Sequence, residues 1–300
     1  MDNIVCSVII PTCNRPDQLS ESLKSLELQS YPKEKMEVIV VDDGSDTSPE
    51  LIISGVASRL NARLITQRNG GPAAARNTGA AQAKGQILVF TDDDCMPEPN
   101  WLENLVDASR RNPGCLIGGH TINHLGDNIF SVAHQTFMDF LHHHYNSDHE
   151  QCRFFPSNNL ASPAEGYREI RGFDASYSKA AGEDRAFCHQ WLGCGYGMTY
   201  ASDAIVRHAH HLTAWKFWRQ HYNYGRGAYH FRTQNADRQG SRMTTERGVF
   251  YLDLLIFPAR QAGYSISKRL FLSALMLVTQ LANTAGFFRE MTRTMRYNEE

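Results

Sequence analysis

The sequence predicts an α/β fold, a mostly parallel sheet flanked by helices, with a helical, basic and aromatic C-terminal extension. Three observations carry this. Apolar runs of strand length alternate with helical patterns through the first half of the chain. Polar turns follow three of those runs, at 11–15, 42–45 and 92–94. Charge is divided unevenly, with 14 Lys/Arg against 6 Asp/Glu from Arg207 onward and 16 against 26 before it.

Residues 5–10, 37–41, 62–66 and 86–91 are the expected strands, short runs dominated by Val, Ile and Leu. Between the first two, 16–29 is an expected helix that opens on Pro16 and carries Leu19, Leu23 and Leu26 on one face. Ser48-Pro49-Glu50 starts a second helix, an alanine-rich third begins near Pro72, and 100–111 is a fourth. A polar-aromatic helix runs from Asp127 to about Asn146 and holds the His142-His-His144 run, whose default role is structural or acceptor-side. Glu183-Asp184 opens another helix after the loop 178–182, and 204–208 ends a short strand on His208.

Beyond His211 the pattern changes. Residues 213–231 read as a basic aromatic helix broken near Gly225-Arg-Gly227. The apolar run 270–288 is interrupted by Ser273, Thr279, Gln280, Asn283 and Thr284, too polar for a comfortable spanning helix. With 247–262 it is expected to form an amphipathic pair flanked by Lys268, Arg269, Arg289, Arg293 and Arg296. The expectation is peripheral attachment to an anionic membrane surface, on the inner face of the cell membrane. The basic aromatic stretch sits in no recognisable RNA or DNA module, so nucleic acid is not expected as a partner. Oligomerisation is left open.

Three hundred residues with 42% hydrophobic content suffice for a real core. The seven cysteines lack paired metal spacing and read as reduced thiols of a cytoplasmic protein. The N-terminus has no basic region before its apolar run, so it reads as a first strand and not a signal peptide. Neither G-x-G-x-x-G after a strand nor a G-x-x-x-x-G-K-[ST] loop occurs, which argues against ordinary NAD and ATP chemistry.

In open α/β sheets ligands sit beyond the carboxyl ends of the strands, so the three polar turns should converge on one crevice. The Asp92-Asp93-Asp94 cluster is the most informative of them. Three adjacent carboxylates repel one another and require a cation, backbone donors or open solvent.

Six motifs, in order, then resemble the family 2 glycosyltransferases: Ser7-Val-Ile-Ile-Pro-Thr-Cys-Asn-Arg15, Val41-Asp-Asp-Gly-Ser45, Asn69-Gly-Gly-Pro-Ala-Ala-Ala-Arg-Asn-Thr-Gly79, Phe90-Thr-Asp-Asp-Asp94, Arg171-Gly-Phe-Asp174 and Gly182-Glu-Asp184. The resemblance spans roughly the first two-thirds of the chain. It implies a nucleotide-sugar-binding GT-A fold, Rossmann-like, with a catalytic domain at 1–211 and an extension at 212–300. Within the former, 1–98 would be the nucleotide-binding half and 99–211 the acceptor and base half.

The resemblance places Pro11, Thr12, Asn14, Arg15, Asp43, Arg76, Asp92 and Asp93 in the nucleotide site. A carboxylate at Asp43 can accept the imide hydrogen of uracil or thymine, whereas a turn-capping role fits Asp42 better. Arg76 lies at a glycine- and alanine-rich helix start where its guanidinium can reach a nucleotide. Asp92 and Asp94 satisfy the family's D-x-D pattern. Asp94 would bind Mg2+ or Mn2+ at the diphosphate, Asp92 would meet the ribose or a metal-bound water, and His208 would complete the metal shell. The alternative for the cluster is a solvated acidic turn. A zinc site among His208, His210 and His211 lacks supporting ligand spacing.

For the acceptor, the resemblance makes Asp184 the catalytic base and Glu183 a supporting group. Acids at a helix N-terminus also arise as plain dipole complements. The implied activity is inverting, metal-dependent transfer from a nucleotide sugar, UDP-linked, to a glycan or lipid-linked acceptor in cell-surface polysaccharide or glycoconjugate synthesis. Cys13 stands where some relatives carry an aromatic that stacks on the base. The Q-x-x-R-W motif of processive synthases is absent, which implies one or few sugars per encounter. The alternatives are an inactive scaffold of the same fold, or a nucleotidyltransferase. The latter would need a glycine-rich basic loop after the first strand.

Overall fold

A computed structural model describes residues 4–147, 151–177, 181–239 and 246–298. Residues 178–180 of the loop before Glu183, and the side chain of Arg296, lie outside the described part. The strands are β1 (Cys6–Thr12), β2 (Met36–Asp42), β3 (Ala62–Thr66), β4 (Ile87–Thr91), β5 (Cys95–Pro97), β6 (Leu116–Asn123), β7 (Asn159–Pro163) and β8 (Met198–His208). The helices are α1 (Pro16–Glu27), α2 (Glu50–Leu60), α3 (Pro72–Ala81), α4 (Trp101–Arg111), α5 (Ile129–Asn146), α6 (Ala164–Glu169), α7 (Glu183–Gly193), α8 (Ala214–Gln239), α9 (Gly248–Arg260) and α10 (Ile266–Asn298). Two units form: Met1–His124 with Tyr145–His210, and Leu125–His144 with His211–Glu300.

The first unit is built on an eight-stranded sheet in the order β3-β2-β1-β4-β7-β6-β8-β5. β3, β2, β1 and β4 are parallel, as their apolar runs and intervening helices require. Leu19, Leu23 and Leu26 of α1 pack with Val8, Ile10, Val38, Val40 and Val89 in one core. β7 is antiparallel to both β4 and β6, and β5 is antiparallel to β8, so the second half of the sheet is mixed. β5, β6 and β7 are additional to the strands expected from the sequence, and β8 extends the expected strand at 204–208 back to Met198.

Register positions the site. Thr12 at the end of β1 lies beside Asp42 at the end of β2, and β4 ends on the other side of β1. β5 pairs Cys95 with His208, which carries the last residue of β8 to the aspartate cluster. The Ala209 N–H then donates to the Asp94 carbonyl at 2.8 Å.

In the second unit, Val132, Phe137 and Phe140 of α5 share a core with Phe217 of α8, Leu254 of α9 and Leu272, Leu275 and Met276 of α10. His143 and His144 are exposed on α5, and their rings meet Phe257 and Phe250. The expected break near Gly225 does not occur: α8 is continuous from Ala214 to Gln239. The glycines serve contact instead. A Cβ at Gly225 would overlap the Asn283 carbonyl of α10, and one at Gly286 would overlap the Tyr222 carbonyl of α8. Close approach of two helix backbones outweighs the roughly 1 kcal/mol that glycine costs in a helix interior. Gly225→Ala should therefore lower stability, by about 1–3 kcal/mol from overpacking, where propensity alone predicts a gain. Thermal unfolding checks the sign.

Candidate active site

β1 runs into a turn in which Asn14 takes a left-handed backbone, φ 55°. Its N–H donates to Ser45 Oγ at 2.8 Å, and its Oδ1 accepts the Asp46 N–H at 2.8 Å, so the turns after β1 and β2 are laced together. Pro11, partly buried, still pairs with Val41 in the sheet. Asp42 caps its own turn, accepting from the Ser45 N–H and hydroxyl at 3.1 and 2.5 Å. Asp43 is buried and reaches the loop before α3. Its carboxylate accepts from Gln67 Nε2 at 2.7 Å and from the Gly70 and Gly71 N–H groups at 2.8 Å each. Gly71 holds φ 86°, a conformation that a side chain would strain. Three of the carboxylate's roughly four acceptor positions are thus taken within the chain.

The repulsion inside the aspartate cluster is answered by a separate set of cationic partners. Asp93 is buried, with Thr12 Oγ1 donating to it at 2.8 Å and Arg15 Nη1 at 2.8 Å. Arg15 Nη2 meets Asp94 at 2.6 Å, and His208 Nε2 lies 3.2 Å from the other Asp94 oxygen. Asp92 is held by Arg76 Nη2 at 2.7 Å.

The ionisation follows these contacts. Burial pushes Asp93 up to about 7 against the pull of Arg15. Burial also works on Asp94, but His208 and Arg15 overcome it and hold that carboxyl well below the usual range. For His208 burial opposes the charge, and Asp94 outweighs it, so the imidazole titrates above its ordinary value. The neighbouring His210 is driven the other way, down to about 4, by burial and by His208.

Asp94, Cys95 and His208 bring their ligand atoms within 4.8 Å of one another. Burial, with Asp94 and Asp92 nearby, raises the Cys95 thiol well above its ordinary value, so it offers no thiolate at neutral pH. The usable donors are a carboxylate oxygen and an imidazole nitrogen, a set that fits Mn2+ and, less closely, the oxygen-seeking Mg2+. Asp92, in this arrangement, lies outside that cluster and belongs to Arg76.

Arg76 is 3% exposed and bridges two segments, with Nη1 3.2 Å from Glu183 as well as Nη2 on Asp92. Its Nε is buried with no hydrogen-bond partner among the described residues. The guanidinium lies 5.5 Å over the Phe173 ring, which stacks on Phe187 at 4.3 Å. Phe173 is fixed by Asn77, whose amide donates to the Phe173 carbonyl at 2.7 Å and accepts its N–H at 2.9 Å. Arg171 and Gly172 turn the chain there with φ of 64° and 69°. Sequence reasoning carried Asn77 and Phe173 only inside their motifs, and their joint role becomes visible once α3 and the 171–174 turn meet.

Glu183 and Asp184 open α7 behind Gly182. Glu183 is buried, and its second oxygen accepts the Ala181 N–H at 2.9 Å. Burial raises its carboxyl, with Arg76 opposing. Asp184 is less buried and accepts the Arg185 N–H at 2.7 Å. A helix N-terminus favours ionised acids, yet burial and the adjacent Glu183 charge outweigh it and push Asp184 up to about 7. That is the range in which a carboxylate serves as a general base.

Residues 7–169 match the family described as Glycosyl transferase family 2. Glycosyltransferase AglE of Haloferax volcanii is 39% identical over 116 residues, which is 38% of this chain and 38% of AglE. The chain thus spans well under half of that relative's length. Among solved structures, mannosyltransferase PcManGT from Pyrobaculum calidifontis, in complex with GDP-Man and Mn2+, superposes with a TM-score of 0.64 at 18% identity, covering 98% of this chain and 88% of PcManGT. Staphylococcus aureus TarS 1-349 in complex with UDP-GlcNAc gives 0.56 at 17% identity, covering 97% and 92%. The fold is therefore GT-A, and the chain belongs to glycosyl transferase family 2.

Proposed function

We propose that this protein transfers a single sugar from a nucleoside diphosphate donor, UDP-linked, to a hydroxyl of a glycan or lipid-linked acceptor, with inversion and with a divalent metal. The carrying observation is that Arg76 bridges Asp92, beside the Asp94–His208 pair in the chain, to Glu183, the neighbour of Asp184, whose carboxyl is raised to about 7. The names of the similar proteins agree with the class: AglE is a glycosyltransferase, and TarS is called a poly(ribitol-phosphate) β-N-acetylglucosaminyltransferase. Cell-surface polysaccharide or glycoconjugate synthesis is the setting we infer. Seven free thiols are in keeping with a reducing, cytoplasmic site.

In this reading Asp94 and His208 would hold Mn2+ or Mg2+, which would supply charge stabilisation for the departing diphosphate. His208 must shed its proton to ligate. Asp43 retains one acceptor direction for the base imide, and the buried Arg76 Nε–H is a donor available to the nucleotide. Pro11, Thr12, Asn14 and Arg15 form the wall of the nucleotide pocket, with Asp92 on the ribose side. Asp184 takes the proton of the acceptor hydroxyl as its oxygen bonds to the anomeric carbon. The bond from that carbon to the phosphate oxygen breaks, and its electron pair leaves with the nucleoside diphosphate. One displacement of this kind inverts the anomeric centre.

Hydrolysis of a panel of nucleotide sugars, with Mn2+, with Mg2+ and with chelator, tests the proposal. UDP-sugars should turn over only with metal, and Asp94→Asn should lose activity by about a hundredfold or more. Turnover unaffected by chelator, or a near-normal Asp94→Asn variant, would remove the metal role.

A further inference from the structure

α10 is 33 residues long, about 50 Å, and one side of it carries no charge over most of that length. Ile266, Leu270, Leu277, Leu281, Phe288 and Met295 are each between 48% and 76% exposed. From Ile266 to Phe288 no exposed position on the helix is charged. Soluble surfaces rarely leave so long an apolar face open without a partner. A shorter row, Val249, Leu252 and Ile256, is exposed on α9.

Ile266, Leu270, Leu277, Leu281, Phe288 and Met295 follow one another at steps of one or two helical turns, so they stay within about 60° of one another around the axis and form a single stripe that can lie flat on a plane.

Charge says what the plane is. Lys268 and Arg269 stand at one end of the apolar stretch, and the exposed Arg289 and Arg293 at the other, with Arg247 and Arg260 exposed at the two ends of α9. The acids nearby are engaged by cations of the same unit: Glu290 meets Arg226 at 2.6 Å and Arg293 at 3.6 Å, and Asp253 lies 3.4 Å from Arg260.

α10 is also the one described helix long and apolar enough to cross a bilayer, but its opposite side is committed. The α8 backbone touches it at Gly225 and Gly286, and α8 carries Lys216, Arg219, Arg226 and Arg232. A spanning α10 would draw that basic helix into hydrocarbon, which charged side chains strongly oppose.

We propose that α10 lies in the plane of an anionic membrane surface, its Ile266–Met295 row in the acyl boundary and its flanking Lys and Arg at the headgroups. This stands independently of the donor and acceptor chemistry. Flotation of the full chain with vesicles of equimolar phosphatidylglycerol and phosphatidylcholine, against phosphatidylcholine alone, is the test. Binding should favour the anionic vesicles and be reversed by alkaline carbonate. Leu277→Glu with Leu281→Glu should weaken it about tenfold or more, with the unfolding temperature unchanged because both side chains are exposed. Arg289→Glu with Arg293→Glu should abolish the preference for anionic lipid. Absent or undiminished binding overturns the proposal, and resistance to carbonate replaces it with a spanning helix. Self-association of the lipid-free chain that Leu277→Glu with Leu281→Glu disrupts would assign the row to a second copy.

Discussion

Asp184→Asn should cut sugar transfer by about 10²–10⁴-fold while leaving donor binding, measured by calorimetry, close to that of the parent. The amide keeps the size of the side chain but cannot take a proton. Because burial and Glu183 raise the parent carboxyl to about 7, kcat/KM of the parent should climb as pH rises through 7 and level off above it. Stability changes in the opposite direction with pH. Between the ordinary aspartate value and about 7 the folded state keeps a proton that the unfolded chain has lost, so Asp184 makes folding less favourable as pH rises through that window. The variant should therefore be more stable than the parent at pH 8 and indistinguishable from it near pH 4. Near-normal transfer by Asp184→Asn would remove it as base. A parent profile with no acid limb near 7 would count against the raised carboxyl.

Arg76→Met should destabilise the fold by about 3–5 kcal/mol, the cost of stranding the partners of a buried ion pair. Methionine fills much of the volume over Phe173, but Asp92 and the buried Glu183 lose their shared counter-charge. Denaturant titration measures the loss. Adding Glu183→Gln to Arg76→Met should recover part of it, since the neutral amide no longer needs the guanidinium. If the single variant unfolds at the same denaturant concentration as the parent, Arg76 does not bridge the two segments as described.

How far the fold could be read from the chain depended on where each segment's pattern came from. β1, β2, β4 and α1 to α4 announce themselves because burial on both faces of a parallel strand and on one face of a helix imposes a local period. β6 and β7 carry no such period. β6 contains Gly118 and Gly119, where the missing side chains make room for Phe155 and Asn159. β7 begins on Asn159, a buried polar residue whose amide is satisfied by Trp101, His120 and Ala204 from three other elements. Nothing within β7 itself discloses those partners.

The candidate site divides in the same way. Its acids and its arginines were legible as members of motifs, whereas their pairing was not, because Arg15 lies 79 residues from Asp94 and Arg76 lies 107 from Glu183. Only the three-dimensional fold shows which acid each arginine serves. The long helices of the second unit were legible as apolar runs, and the glycines in α8 misled because a packing contact and a helix break look alike in one dimension.

The pairing of the aspartates has a consequence for the order in which ligands arrive. Asp92, Asp93, Asp94 and Glu183 face Arg15, Arg76 and a His208 whose charge Asp94 favours, so much of the charge on these acids is already answered in the resting pocket. A dication entering by itself must compete with two cations already seated on Asp94, and a bare diphosphate must approach carboxylates with no fresh counter-charge. Taken up together, the two nearly cancel. If Asp94 and His208 hold the metal as proposed, each should raise the affinity of the other, and the pocket would favour the pre-formed metal–nucleotide complex over either component alone.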